Sequence, residues 1–119
     1  MTAADVKWSI ERAVNPKTQG PGAGFFHSIV GADKMTAGTA DTMDGITAVD
    51  DHTVELTATD RIATFLEEVG TISIMPKHIW EGVKFADWGS DPGSTGTDAK
   101  RVIGTGPFKF VEWVSNDHV

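Results

Sequence analysis

Apolar residues recur at helical spacing from the start of the chain. In "TAADVKWSIERAV" Val6, Ile10 and Ala13 share one face, Thr2 supplies an N-cap hydroxyl, and Asp5 follows three residues later. The pattern predicts a capped amphipathic helix that stops at Asn15 and Pro16. Trp8 and Arg12, four residues apart, share a flank of it, with Trp8 as a core or domain-contact anchor. From 17 to 45 the text is rich in Gly, Thr, Ala and Asp and reads as mostly irregular. Phe25, Phe26 and Ile29 there are able to lead a short second helix.

The period then changes from helical to alternating. Ile46 and Ala48, and then Val54, Leu56 and Ala58, alternate with polar residues around Asp50, Asp51 and His52, which supply turn chemistry. This predicts a β-hairpin in which Gly45 to Val49 pairs antiparallel with Thr53 to Ala58 and Leu56 faces the core. In "RIATFLEEV" Ile62, Phe65, Leu66 and Val69 return to helical spacing, and Gly70 ends the run. "TISIMP" reads as a strand or extended segment, because Pro76 biases Met75 away from helical geometry. One or two helical turns in "KHIWEGV", a flexible polar loop from Ala86 to Asp98 and a last strand in "FKFVEWV" complete the expectation. Helices and strands alternate irregularly without an internal repeat. The fold class expected is therefore α+β, a small mixed, largely antiparallel sheet with flanking helices.

At 119 residues the chain has room for one core, so a single unit over 1–119 is the expectation. A net charge of -7 without a cluster of Lys and Arg argues against a nucleic-acid partner. No cysteine is present, which excludes disulfides and thiolate metal sites. The first residues lack the basic and apolar segments of a signal peptide, and no apolar run approaches the ~18 residues that span a bilayer. Both ends abut predicted elements directly, so the sequence looks cut from something longer.

Candidate chemistry is sparse. "GTGPFK" resembles a phosphate loop only in its glycines, because Pro107 removes a donor and no Lys-Ser or Lys-Thr pair opens a helix. Gly104, Thr105, Gly106 and Pro107 are expected instead to form a structural turn, the two glycines supplying backbone freedom, with Phe108 and Phe110 on one face of the strand that follows. His78 and Glu81 lack a third metal ligand, while His27, His52 and His118 are scattered. Asp41, Asp44, Asp50 and Asp51 lack calcium-loop spacing. Neither a metal site nor a cofactor is expected. Ser9, Ser28, Ser73, Ser90, Ser94 and Ser115 sit in no nucleophile elbow, so no catalytic residue is assigned and the chain reads as a non-enzyme. A small hydrolase and a free-standing interaction module using exposed Trp residues are the competing readings.

Four segments taken in order, "TAADVKWSIERAV", "GITAVDDHTVELT", "FLEEVGTISIMPKHIWE" and "IGTGPFKFVEW", resemble the extracytoplasmic solute-binding proteins of ABC importers for oligopeptides, dipeptides and nickel. The resemblance runs over nearly the whole chain. It implies a piece of the N-terminal lobe of a two-lobed periplasmic-binding-protein fold, in which ligand is captured by closure about a hinge. It further implies a peptide or small-solute ligand, including a nickel chelate, permease subunits as partners, and a periplasmic or cell-surface location peripheral to the membrane. By the same resemblance Thr71, Ile72, Ser73, Ile74 and Met75 are expected to form part of a ligand-cleft wall, with the main ligand contacts elsewhere in the parent protein.

Overall fold

The computed structural model describes residues 1–119 and divides them into two compact units, Met1–Ile74 and Met75–Val119. In the first unit, helix α1 spans Ala3–Val14. Its start is a full capping box: the Asp5 N–H donates to Thr2 Oγ1 at 3.4 Å and the Thr2 N–H donates to Asp5 Oδ2 at 2.7 Å. Two of the amides that a helix start leaves without partners are thereby satisfied reciprocally. Ile10 and Val14 are fully buried, while Val6 and Ala13 pack against the core from the edges of the same face. Trp8 is half-buried outside that core, with the Arg12 guanidinium 5.5 Å from its ring centre, so it covers the helix flank.

The hairpin has the expected register. Strand β1 (Ile46–Ala48) runs antiparallel to β2 (Val54–Leu56), pairing Ile46 with Leu56, Thr47 with Glu55 and Ala48 with Val54. Ile46 is buried and Leu56 packs on the core half-covered, but Ala48 is exposed, and the hairpin turn is tied to the start of α1, where the Ala3 N–H donates to Asp51 O at 2.9 Å. Residues 28–30 extend that base. The Val30 N–H donates to Thr57 O at 3.0 Å, the Gly45 N–H to Val30 O at 2.9 Å and the Thr59 N–H to Ser28 O at 2.7 Å. Backbone that carries no named strand is in this way hydrogen-bonded as a sheet would be.

The segment 17–45 supplies most of the core. Phe26, Ile29, Ala32, Met35 and Met43 are all buried against Ile10, Val14 and Ile46. The second helix is not led by Phe25 and Phe26. Those residues end a 3-10 turn at Pro21–Phe25, with Phe25 46% exposed and Phe26 1% exposed, and α2 forms later, at Ala32–Thr36. Gly31 precedes α2 with a φ of +90°, a left-handed geometry that also brings its backbone against Met43 and Asp44. Side chains of α1 reach across to the loop that follows α2. Glu11 Oε1 accepts from Thr42 Oγ1 at 2.7 Å and from the Met43 N–H at 2.9 Å, and Lys7 Nζ donates to Ile46 O at 2.7 Å.

Helix α3 spans Phe65–Gly70, shorter than expected and with Gly70 as its last residue. Phe65 and Val69 pack on the core, whereas Leu66 is 83% exposed. One turn and a half of helix presents too narrow a stripe to bury two adjacent apolar side chains.

The second unit holds α4 (Lys77–Trp80), 3-10 turns at Phe85–Asp87 and Ala99–Arg101, and no fully buried residue. Trp88 packs edge-on to Trp80 at 5.9 Å and stacks on Phe85 at 6.0 Å. The expected last strand is absent. Residues 107–113 form no ladder, and only an isolated antiparallel bridge joins Val114 to His118, around Asn116 in a left-handed conformation. Alternation specifies which face a strand would bury, but a strand also needs a partner's backbone, and here residues 103–113 make no backbone hydrogen bonds.

Candidate functional site

The extended segment expected at a ligand wall ends the first unit and begins the second. Thr71 caps α3 while still in right-handed helical geometry, and residues 72–76 then run without regular structure to α4. The Thr71 hydroxyl donates to Glu68 O at 2.7 Å, closing the helix end, and so is committed to structure. Ile72 packs against the core of the first unit. Thr71 and Ser73 are exposed, and Ile74 and Met75 are half-buried. Residues 72–74 neither donate nor accept a backbone–backbone hydrogen bond, so their peptide groups are available to an extended chain laid beside them.

Within the second unit a shallow depression of about 730 Å³ is lined by Ala99, Val102, Ile103 and Gly104, with Pro107, Phe108 and the two lysines Lys100 and Lys109 among the remaining walls. Residues 105–108 form a bend that does not depend on special glycine geometry: neither Gly104 nor Gly106 has a positive φ, and nothing lies within 4 Å of the position a Gly106 Cβ would take. The glycine freedom expected there is therefore not used. No helix follows the glycines, so no ring of N–H groups faces a phosphate.

A constellation that the sequence reading passed over organises residues 91–101. Arg101 donates to Asp91 in fork geometry, Nε to Oδ1 at 3.0 Å and Nη2 to Oδ2 at 2.9 Å, and its guanidinium lies 5.8 Å from the Trp80 ring centre. The Gly93 N–H donates to Asp91 Oδ1 at 2.8 Å. The signal available was an Asp-Pro-Gly turn followed ten residues on by an Arg, a pairing that sequence distance conceals. Desolvation pushes the Asp91 carboxyl up, but the Gly93 N–H and the hydrogen bonds and charge of Arg101 outweigh it and hold the carboxyl below the ordinary aspartate range. The sign follows. A depressed folded-state carboxyl contributes stability above its unfolded value, ~3.9, and loses it as pH falls through the lower folded value. Followed by NMR, the Gly93 amide shift should titrate with a midpoint below ~3.9 and lose that step in Asp91→Asn. A midpoint at or above that value would show that the fork does not persist in solution.

The remaining candidates are dispersed. His78 is exposed on α4, and Glu81 pairs with Lys77 at 3.7 Å. His27 Nδ1 lies 2.7 Å from Gly24 O, and the His52 N–H donates to Asp50 Oδ1 at 2.7 Å, the leading cause of a depressed Asp50 carboxyl. Asp41, Asp44 and Asp51 are exposed. His118 lies 3.0 Å from Asp117 Oδ2 and 3.3 Å from Glu112 Oε1 at the surface. No three His, Asp or Glu side chains are arranged to hold a metal ion. Ser9 and Ser28 are buried, the Ser28 hydroxyl without a hydrogen-bond partner, while Ser73, Ser90, Ser94 and Ser115 are exposed. None stands on a strand-to-helix elbow. No helix is long and apolar enough to cross a membrane.

Comparison with known proteins gives this geometry its setting. The chain is 29% identical, over its whole length, to the periplasmic oligopeptide-binding protein OppA of Escherichia coli K12 and covers 21% of that protein. It is 32% identical, again over its whole length, to the probable deoxycholate-binding periplasmic protein YgiS of the same organism, covering 22% of it. Among solved structures, OppA of Burkholderia pseudomallei superposes with a TM-score of 0.72 at 26% identity, over 95% of this chain and 21% of that one. The murein tripeptide binding protein MppA of Escherichia coli gives 0.61 at 32% identity, over 78% of this chain and 19% of that one. The chain thus spans about a fifth of the length of these relatives. The sequence model for the middle region of bacterial extracellular solute-binding proteins, family 5, matches residues 1–119 from end to end, and the chain belongs to that family.

Proposed function

We propose that this chain is part of the binding component of an ABC importer, one subdomain of the N-terminal lobe, which captures a peptide outside the cytoplasmic membrane and hands it to the permease subunits. The observation that carries the reading is the end-to-end match to periplasmic oligopeptide-binding relatives. It is supported by the extended segment at 72–74, whose peptide groups are unpaired. The chemistry is binding, with no bond made or broken. Thr71, Ile72, Ser73, Ile74 and Met75 form a wall rather than an anchor, since their side chains carry no charge and, of their two hydroxyls, that of Thr71 is engaged by Glu68 O, leaving only Ser73 to offer a polar contact. Peptide is favoured over a nickel chelate because two of the relatives are named for oligopeptide and tripeptide ligands. The deoxycholate-binding relative leaves another small solute as the second choice.

Half a cleft lacks the opposing wall that desolvates a ligand, so the 119-residue chain alone should show no saturable peptide binding tighter than ~10 µM, about 7 kcal/mol. Calorimetry with a tripeptide mixture measures this. The reading itself is tested in a chimera, with this chain in place of the matching fifth of the Escherichia coli oligopeptide-binding relative. The chimera should bind tripeptides, and Ser73→Trp in it should weaken binding at least about tenfold by filling the space beside the wall. Unchanged affinity in that variant would remove residues 71–75 from the ligand cleft.

A further inference from the structure

We draw no further inference here: the strongest candidate, the shallow depression in the second unit lined by Val102, Ile103 and Phe108 with Lys100 and Lys109 on its walls, carries nothing, because the chain spans about a fifth of the length of its relatives and nothing in the structure shows what covers that face.

Discussion

Phe26→Ala should destabilise the first unit by about 3–5 kcal/mol, the largest loss expected of any single side chain here. Phe26 is 1% exposed and packs in a cluster with Ile10, Val14, Ile29 and Met35, so truncation removes a ring from water-free surroundings and leaves a cavity that helices and hairpin surround. Since a domain of this size has only about 5–15 kcal/mol in total, the variant should unfold at much lower urea and populate unfolded chain near 37 °C. Phe108→Ala is the matched control. Phe108 is 91% exposed, and its loss should change stability by no more than about 0.5 kcal/mol. Equilibrium urea denaturation of both, read as a shift in midpoint at constant slope, measures the contrast. A loss below about 1 kcal/mol at Phe26 would mean that the centre of the core lies elsewhere.

The second large effect comes from adding a single methyl group. A Cβ on Gly45 would stand 2.7 Å from Val30 O, 2.8 Å from Val30 N and 2.9 Å from Ile29 Cγ2. Two of those atoms are backbone, and the same residues carry the Gly45–Val30 and Thr57–Gly45 hydrogen bonds that knit the hairpin base to residues 28–30. They cannot swing aside as a side-chain end could. Gly45→Ala should therefore cost about 2–3 kcal/mol through overpacking. Gly106→Ala, with open space around the new methyl, should fall within about 0.5 kcal/mol of the parent. Thermal melts of the two variants check both, and similar midpoints would contradict the close approach at Gly45.

The contrast between Gly45 and Gly106 shows where the amino-acid text is readable. Gly104 and Gly106 draw notice because they stand together in a motif, whereas Gly45 stands alone before a strand and is a glycine whose missing side chain the fold requires. The features read correctly are local. The capping box of Thr2 and Asp5 and the Ile46–Leu56 register each involve residues that neighbours in sequence can specify. Met35 and Met43 carry no signal because they belong to a Gly- and Thr-rich stretch with no sustained period, and Phe26, expected to lead a helix, instead follows a 3-10 turn; the three meet in the core only once the 3-10 turns and the short helix α2 have formed. The strand expected at "FKFVEWV" failed for the converse reason, since its pattern is local and its partner is not. At the candidate wall the extension of residues 72–75 was legible from Pro76, but the engagement of the Thr71 hydroxyl by Glu68 was not, because it depends on where α3 ends. The Asp91–Arg101 fork was hidden by the nine residues between its partners.

The core described above is built entirely from Ile10 to Ile46, with packing residues no earlier than Val6 and no later than Ile72. A ribosome delivers these residues before any of the second unit. Once Ile72 has cleared the exit tunnel every residue of this cluster is available to pack, and folding in the order of synthesis is a natural route for it. The second unit, which adds no residue to that cluster, follows it in the order of synthesis, so the first core can close without waiting for it.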